Sequence, residues 1–330
     1  MTCNILLLCG GDGSEHDISV LSANYIQEQL ELTENFNVIK CLIHNHKFFI
    51  NGDEAFFKGT TLICENNEFK IDCVVPCLHG YPGETGDIQS YLELLNIPYI
   101  GCKSEASRNC FNKITTKLYL DALGIPNSPS SALFSDNKFY KEKAEEFFDK
   151  YKDIYVKAAS QGSSVGCYHV VEKAQLYKKI SEAFNYSQEV LLEKNIKHRE
   201  LEVAAYQIRD ELVITSPGEI IMPDNVFYTF EEKYSKNSAT ITTVTPKGLT
   251  DKEIGTIKDL ARKAFIGLKL RDLSRIDFFL SEEDGILINE INTFPGETPI
   301  SMFPKMLTHH GDTMQDFLAQ AVKRAIDENK

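Results

Sequence analysis

The chain has 330 residues, of which 42% are hydrophobic and 25% charged, enough for two or three domains with apolar cores. Its 48 acidic and 35 basic residues give a net charge of −13, which argues against non-specific binding to nucleic acid or to an anionic membrane. ATP binding stays compatible with this charge, because a few local lysines are sufficient for the phosphates.

The nine cysteines include no C-x-x-C pair, and no histidine spacing completes a zinc site. Buried free thiols in a reducing compartment are the better interpretation. The apolar run near the N-terminus is too short for a signal peptide and lacks a basic leader, and no run approaches the length of a membrane span. These features predict a cytoplasmic protein.

The first predicted strand, residues 4–9, is continuously apolar, as in strands buried on both faces of a parallel sheet. A glycine-rich turn follows, and helical spacing begins at Ile18. This order opens a doubly wound domain, although the third glycine of a dinucleotide fingerprint is missing. Glu15 lies in the turn; on spacing alone, it would more often be a charge that favours the helix N-terminus.

A later strand, predicted at residues 73–78, ends in a loop that carries His79 and several glycines. Loops at the carboxyl ends of parallel strands carry ligands, although His79 taken alone would more often be structural. Residues 106–123 have helical spacing and predict a helix with Lys113 inside it. A lysine in such a position is a surface residue by default.

A strand predicted at residues 154–157 ends in Lys157 and leads into a Gly/Ser-rich loop that contains Ser163. Such a loop lets backbone N–H groups approach phosphates, although many hairpin turns look similar. On spacing alone, residues 190–196 predict an ordinary strand with a polar turn. Residues 227–238 are aromatic yet strongly polar and predict a long loop, for which the plain alternative is a disordered surface excursion.

Near the C-terminus, two apolar runs flank a polar turn at residues 282–285, which predicts a β-hairpin with a four-residue loop. If Ser281 pairs with Ile286, Asp277 lies opposite Glu290. Because side chains alternate along a strand, one face then carries Arg275, Asp277, Glu290 and Asn292. The opposite, buried face carries Ile276, Phe278, Leu280, Leu287 and Ile291.

Two carboxylates about 4 Å apart repel by roughly 4 kcal/mol at an effective dielectric of about 20, so the Asp277–Glu290 pair favours a bound cation. Oxygen ligands of this kind suit Mg²⁺, which binds one or two carboxylates together with substrate phosphates. The plain alternative is a solvated face on which Arg275 pairs with Asp277.

These motifs together resemble the ATP-grasp superfamily and, more narrowly, the D-alanine–D-alanine ligases. The hairpin and the turn after it are similar to the family signature R-x-D-F-F…N-E-x-N-T-x-P-G-x-T-x-x-S. Residues 78–89 match L-H-G-x-x-G-E-[DT]-G-x-[IL]-Q. Residues 157–166 resemble K-P-x-x-x-G-S-S-V-G, with Ala158 in place of proline and Gln161 where glutamate is common.

The resemblance implies an α/β protein with a three-domain ATP-grasp fold. Its parts are an N-terminal doubly wound (pre-ATP-grasp) domain at residues 1–103, a central subdomain at 104–190, and a C-terminal subdomain with flap and metal site at 191–330. It also implies ATP-dependent joining of two D-alanines through an acyl phosphate, for peptidoglycan precursors. The implied cofactor is Mg²⁺, as two ions that Mn²⁺ can replace, and the implied assembly is a homodimer.

The resemblance also implies roles for single residues. Around the amino acids, Glu15 holds the first ammonium, Ser163 and Tyr234 orient Glu15, His79 lies at the substrate, Arg275 and the Gly296 N–H stabilise an oxyanion, and Ser301 binds the second carboxylate. Around ATP, Lys113, Lys157 and Lys233 contact phosphates, Glu193, Lys194 and Ile196 contact adenine, and Glu200 contacts ribose. The implied Mg²⁺ ligands are Asp277, Glu290 and Asn292.

Two alternatives remain at this stage. One is an ATP-grasp ligase with D-lactate or D-serine as second substrate, against which Tyr234 argues, since the depsipeptide-forming members tend to replace that tyrosine. The other is an inactive ATP-binding regulator, which loss of Arg275, Glu290 or Glu15 would have supported. Glu297 departs from the usual apolar residue after the oxyanion glycine, and it predicts either repulsion of the second carboxylate or a side chain that faces solvent.

Overall fold

The computed structural model describes residues 2–222 and 240–329. Its N-terminal sheet is built around β1 (Cys3–Gly10), which lies parallel to β2 (Phe36–His44) on one side and to β7 (Cys73–Pro76) on the other. Helix α1 (His16–Glu31) follows β1, and helix α2 (Asp87–Leu94) follows β7 at the edge of the sheet. The doubly wound opening predicted from the glycine turn is therefore present in this part of the chain.

The same sheet continues as an antiparallel meander that the sequence analysis did not predict. Strands β3 (Lys47–Ile50), β4 (Asp53–Lys58), β5 (Thr61–Cys64) and β6 (Asn67–Lys70) extend it in the order β6-β5-β4-β3-β2-β1-β7. Their turns use residues with positive φ, such as Asn51 and Gly52. The parallel pairing is thus confined to one edge of a seven-stranded sheet.

The prediction of one helix over residues 106–123 is wrong. Two helices are present, α3 (Ser104–Phe111) and α4 (Lys113–Ala122), and Asn112 between them has extended backbone angles. Its side-chain oxygen accepts the backbone N–H groups of Ile114 and Thr115 at 3.0 Å, so it caps the second helix. Lys113 therefore begins a helix instead of lying inside one.

The central sheet is fully antiparallel, with the order β10-β9-β11-β8. Its strands are β8 (Ser130–Phe134), β9 (Ile154–Ala158), β10 (Cys167–Val170) and β11 (Glu189–Lys194). Helices α5 (Tyr140–Tyr151) and α6 (Leu176–Phe184) cover one face and bury an apolar cluster that includes Phe147, Phe148 and Val156. Lys157, which is half-buried, and the Gly/Ser-rich loop that contains Ser163 lie at the other face of this layer.

The C-terminal sheet contains β12 (Arg199–Ile208), β13 (Glu211–Ile214), β14 (Gly218–Ile221), β15 (Ile241–Thr243), β16 (Leu273–Ser281) and β17 (Gly285–Asn292). Helix α7 (Asp251–Gly267) packs on it and begins at a capping box formed by Thr250 and Glu253. Helices α3 and α4 contribute Ala106, Cys110 and Leu120 to the same core.

Two C-terminal helices connect the outer parts of the molecule. Helices α8 (Met302–His310) and α9 (Met314–Glu328) share an apolar core with β1 and α1, in which Phe303 and Phe317 are fully buried. The same core contains Ala204 and Tyr206 of β12, so it joins the N-terminal sheet to the C-terminal sheet. None of the helices in residues 2–222 and 240–329 is long and apolar enough to cross a membrane.

Candidate active site

A pocket of about 330 Å³ lies where the three sheets meet. The residues of the predicted amino-acid site and metal site that line it are Glu15, His79, Lys113, Ser163, Arg275, Glu290, Asn292, Gly296 and Ser301. They come from loops and strand ends as far apart in sequence as residues 15 and 301. Their convergence is the main test that the structure offers of the sequence motifs.

A second pocket of about 200 Å³ lies between the central and C-terminal sheets. It is lined by the predicted nucleotide residues Lys113, Lys157, Glu193, Lys194, Ile196 and Glu200. Lys113, Ser163 and Glu290 line both pockets, so the two adjoin. A molecule in the second pocket can therefore present a reactive group to a molecule in the first.

Glu15 is the residue before α1, but its side chain does not cap that helix. It reaches instead to the glycine loop of the central sheet, where Ser163 Oγ donates to Glu15 Oε1 at 2.5 Å. A Cβ added at Gly80 would lie 3.0 Å from Glu15 Oε2, and one added at Gly162 would lie 2.9 Å away. The carboxylate therefore fits between two loops that only glycine allows to approach so closely.

His79 is buried, and both of its ring nitrogens have protein partners. Nδ1 lies 3.1 Å from the Phe294 carbonyl oxygen, and Nε2 lies 3.0 Å from Ser22 Oγ. Burial lowers the pKa of His79, with Glu15 acting in the opposite direction. The neutral ring then donates through Nδ1 to the carbonyl and accepts at Nε2 from the serine hydroxyl. His79 thus lines the pocket and also fixes the turn after β17.

Glu84 lies in the same loop as His79 and lines the first pocket. It was not among the predicted site residues. Its Oε2 accepts the Gly80 N–H at 3.0 Å. Burial, and then the nearby Glu15 charge, raise the pKa of Glu84 to about 8. The motif that identified His79 also contains Glu84, so the sequence did hold a signal for it.

Lys113 and the glycine loop are held together. Lys113 Nζ donates to the Gln161 carbonyl oxygen at 2.6 Å, and its backbone N–H donates to Ala159 O at 2.9 Å. In the same loop, Ser163 and Ser164 have φ values of 47° and 62°, in the left-handed region that serine seldom adopts. This strained turn directs the Ser163 hydroxyl towards Glu15.

In the second pocket, the buried Glu193 carboxylate lies between two lysines. Lys117 Nζ lies 2.6 Å from Oε1, and Lys157 is in contact with Oε2. Although burial alone would raise the pKa of Glu193, Lys157 and Lys117 lower it to about 2. Lys117 was missed by the sequence analysis, although it lies one helical turn after Lys113. The adenine contact predicted for Glu193 stays a prediction.

The remaining nucleotide residues lie at the rim of the second pocket. Lys194 Nζ pairs with Asp284 Oδ1 at 2.7 Å, and its backbone N–H donates to Pro129 O. The Ile196 carbonyl accepts the ring Nδ1–H of His198, whose ring lies 3.6 Å from that of Phe279 between centroids. Burial lowers the pKa of His198. Two aromatic rings thus form an apolar wall suited to a flat heterocycle.

The predicted strand pairing of the hairpin is correct at Asp277 and Glu290 and wrong at the turn. Arg275 faces Asn292 and Asp277 faces Glu290, as predicted, but Ser281 pairs with Gly285 instead of Ile286. The loop therefore has three residues, and a bulge between Asp277 and Phe278 supplies the compensating shift. As a result, Leu287 pairs with Phe279 instead of belonging to the Phe278 face, which corrects the predicted side of Leu287.

Three carboxylates form a row across neighbouring strands of the C-terminal sheet. Glu202 on β12 pairs with Asp277 on β16, and Asp277 pairs with Glu290 on β17. Arg275 lies beside this row, with Nε 2.8 Å from Asp277 Oδ1 and 3.1 Å from Glu202 Oε1. Burial opposes the charged guanidinium, but Asp277 and Glu202 hold the pKa of Arg275 well above its usual value. Glu202 was missed because its partner strand is distant in sequence.

The predicted Mg²⁺ ligands share one face, and Asn292 Nδ2 donates to Asp277 Oδ2 at 3.0 Å. In the part of the chain that the structure describes, no three His, Cys, Asp or Glu side chains are grouped to hold a metal ion. Two carboxylates and an amide nevertheless fit Mg²⁺, which takes its other ligands from phosphates and water. The three carboxylates of the row carry more negative charge than the single positive charge of Arg275 can neutralise, so the site favours a bound cation.

The turn after β17 shapes the end of the first pocket. A Cβ on Gly296 would lie 3.0 Å from Ser301 Oγ, which explains the glycine there. Ser301 precedes α8, and its Oγ lies 2.8 Å from Thr298 Oγ1. Neither predicted position of Glu297 is correct: its side chain is 1% exposed and does not line the pocket. The predicted roles of Lys233 and Tyr234 fall on residues outside those that the structure describes.

Comparisons with known proteins agree over nearly the whole chain. The family model described as D-ala D-ala ligase N-terminus matches residues 57–102, and the one described as D-ala D-ala ligase C-terminus matches residues 119–323. A protein named D-alanine–D-alanine ligase from Vibrio atlanticus is 51% identical over 98% of this chain and 99% of its own length.

Solved structures give the same result. The crystal structure of D-alanyl-alanine synthetase A from Vibrio cholerae has a TM-score of 0.94 and 51% identity, with 99% of each chain covered. The structure of D-alanine-D-alanine ligase from Aeromonas hydrophila has a TM-score of 0.83 and 46% identity, covering 96% of this chain and 99% of its own.

Proposed function

The chain belongs to the D-alanine–D-alanine ligase family, and from that premise we propose how its two adjoining pockets carry out the ligation. The protein is an ADP-forming ATP-grasp ligase that joins two D-alanines for peptidoglycan synthesis and uses ATP and Mg²⁺. The observation that carries the residue assignment is the convergence of Glu15, Ser163, Arg275 and Ser301 on one pocket that opens into the nucleotide pocket.

The first D-alanine binds with its ammonium against Glu15. The Ser163 hydroxyl, 2.5 Å from that carboxylate, fixes its orientation. The amino acid's own carboxylate then faces the opening into the nucleotide pocket, where Lys113 and Glu290 line both cavities. Positioning of this kind can lower a reaction barrier by several kcal/mol, because the reacting atoms no longer have to find each other.

ATP occupies the second pocket. The aromatic wall of His198 and Phe279 receives the adenine, with Glu193, Lys194 and Ile196 around it and Glu200 at the ribose. Lys113 and Lys157, joined by Lys233, neutralise the phosphates as the γ-phosphoryl group moves to the first D-alanine, giving an acyl phosphate and ADP. The Lys157–Glu193–Lys117 arrangement keeps Lys157 charged and correctly placed.

Asp277, Glu290 and Asn292 would hold Mg²⁺, which supplies charge neutralisation for the ATP phosphates. Arg275 balances the same carboxylate row from its other side, so its position depends on Asp277 and Glu202. This arrangement gives Arg275 a fixed direction into the pocket and limits its movement during the reaction.

The second D-alanine enters at the Ser301 end of the pocket, with its carboxylate on the Ser301 hydroxyl. Its amine attacks the carbonyl carbon of the acyl phosphate; the carbon–nitrogen bond forms, phosphate leaves, and the amine loses a proton. Arg275 and the Gly296 N–H stabilise the tetrahedral oxyanion. His79 positions the turn that carries Gly296, and Tyr234 supports Ser163.

The proposal also includes three features of the whole protein. The domain boundaries are residues 1–103, 104–190 and 191–330, with α3 and α4 connecting the second unit to the third. The assembly is a homodimer. The location is the cytoplasm, which supplies ATP and fits nine cysteines that all lie in the described part of the chain and form no disulfide.

The test is a coupled ADP-release assay with ATP and Mg²⁺ and a panel of D-alanine, L-alanine, D-serine and D-lactate, with products identified by mass spectrometry. We expect ADP release that depends on D-alanine, and D-alanyl-D-alanine as the product. ADP release without dipeptide, or a faster reaction with D-lactate or D-serine as acceptor, would refute the proposed activity.

A further inference from the structure

The first pocket, which receives the two amino acids, contains a cation to which the known reaction assigns no role. In the described part of the chain, three cationic side chains line this pocket, those of Lys113, Arg275 and Lys305. Asp277 and Glu202 neutralise Arg275, and Lys113 donates to Gln161 O where the two pockets join. Lys305 thus differs from the other two in both its position and its partner.

Lys305 lies on α8, one turn after Ser301, and its side chain is half-buried. Its Nζ donates to Thr242 Oγ1 on β15 at 3.1 Å. No carboxylate in residues 2–222 or 240–329 forms an ion pair with it. Since an ammonium carries three donors, one hydroxyl partner leaves it with the capacity to bind an anion in the pocket. Charges that are partly removed from water are usually paired, so this one favours an anionic ligand.

The pocket is also polarised. Glu15 and Glu84 line its acidic end, and the Ser301 end carries Lys305 together with the N-terminus of α8. The partial positive charge of a helix N-terminus favours an anion at the same place as the lysine. Lys305 does not line the nucleotide pocket, whereas Lys113 does. The anion beside Lys305 is therefore neither an ATP phosphate nor the carboxylate that receives phosphate.

We propose that Lys305 binds the carboxylate of the second amino acid, together with the Ser301 hydroxyl, and makes the acceptor site selective for a free carboxylate. This inference rests on the proposed function, because it takes the acceptor to be an amino acid. When the acceptor amine is in its attacking, neutral form, the acceptor carries a net negative charge. A cation at the Ser301 end then binds that form and holds its amine towards the acyl phosphate.

The test compares an acceptor that has the carboxylate with one that lacks it. D-Alanine and D-alaninamide are supplied as acceptors to the full-length enzyme with ATP, Mg²⁺ and a fixed concentration of D-alanine as donor. Lys305→Met removes the charge and keeps the length of the side chain, Lys305→Gln is a second neutral variant, and Lys305→Arg keeps the charge. Lys323→Met on the exposed face of α9 is the matched control.

For Lys305→Met and Lys305→Gln, we expect KM for the second D-alanine to rise about 10- to 100-fold, the range for loss of one charge-assisted hydrogen bond. KM for ATP and for the first D-alanine should stay close to the wild-type values. The preference for D-alanine over D-alaninamide should fall by a similar factor. Lys305→Arg should retain most of the preference, and Lys323→Met should match the wild type.

An unchanged acceptor KM and unchanged preference in the neutral variants would overturn the inference. So would an equal loss with both acceptors, because that result would indicate a structural effect of Lys305 on the pocket. Failure of the proposed function has a different signature: the wild-type enzyme itself would make no D-alanyl-D-alanine. The wild-type reaction therefore separates the two proposals before any variant is compared.

Discussion

Glu297 gives the sharpest prediction about stability. Its side chain is 1% exposed, and neither carboxylate oxygen has a hydrogen-bond partner among the described residues. Burial raises the pKa of Glu297 well above the usual value of 4.5, and the Arg275 charge offsets this only in part. Tyr25 and Cys77 lie close enough to sense its charge, which raises the pKa of both groups. We predict that Glu297→Gln removes a pH-dependent loss of stability.

The direction of the effect follows from proton binding. Well below pH 4.5, the carboxyl is neutral in both the folded and the unfolded chain, so it adds no pH dependence. Above that value the unfolded chain releases the proton while the folded protein keeps it, so stability falls as pH rises. The slope is about 1.4 kcal/mol per pH unit until the folded pKa is reached. The loss accumulates only between the unfolded and the folded pKa, so a higher folded pKa makes the total loss larger.

The assay is urea unfolding of wild-type protein and Glu297→Gln at several pH values between about 5.5 and 7.5, followed by circular dichroism. Every other titrating group is shared, so the difference between the two proteins isolates Glu297. That difference should grow in favour of the variant as pH rises, with an upper limit of about 1.4 kcal/mol per pH unit. The pH-independent part of the difference in unfolding free energy is less informative, because a buried amide without hydrogen-bond partners itself costs about 1–3 kcal/mol.

Glu282→Gln, on the exposed turn between β16 and β17, is the control and should run parallel to the wild type. Parallel pH curves for wild type and Glu297→Gln would refute the reasoning, because they would mean that Glu297 ionises in the folded protein as it does in the unfolded chain. A steeper loss in the variant than in the wild type would contradict the predicted direction.

Three further predictions concern the site and its supports. Glu15→Gln should lower kcat/KM for the first D-alanine roughly 100-fold or more while leaving ATP affinity nearly unchanged; normal kinetics with a stability loss of about 0.3–1 kcal/mol would instead indicate a helix-terminus role. Lys117→Met leaves the buried Glu193 carboxylate with one cation, so unfolding should become easier by about 3–5 kcal/mol, and KM for ATP should rise more than KM for D-alanine; equal changes in both KM values would contradict this. Asn112→Ala should destabilise the protein by about 0.5–2 kcal/mol in thermal or urea unfolding through loss of the α4 cap; unchanged stability would show that the cap is dispensable.

Local sequence patterns predicted the elements whose structure depends on residues close together in the sequence. The apolar run of β1, the glycine turn before α1 and the face shared by Asp277 and Glu290 all follow from periodicity within a few residues. The break at Asn112 was missed because the apolar spacing on both sides of it continues a single helical pattern. Its capping side chain contained the relevant signal, since asparagine is favoured at helix N-termini.

The site needed information that no short window contains. Glu202 joins the carboxylate row only because β12 pairs with β16, and the two strands are separated by a long stretch of chain. The bulge beside Asp277 was equally hidden, because the alternation of apolar residues does not reveal which strand carries an extra residue. The predicted pairing at Asp277 was right only because the bulge cancelled a one-residue error at the turn.

The buried charges around the pocket have a common physical logic. Glu193 lies between Lys117 and Lys157, and Arg275 lies between Asp277 and Glu202, so each of these central charges is held from two sides. A side chain held in this way cannot turn towards solvent when substrate leaves, because doing so would leave a buried opposite charge unpaired. The free energy spent on burying these charges therefore also fixes the orientation of the side chains. Lys157 and Arg275 have their directions set before substrate binds, as a site that stabilises developing charge requires.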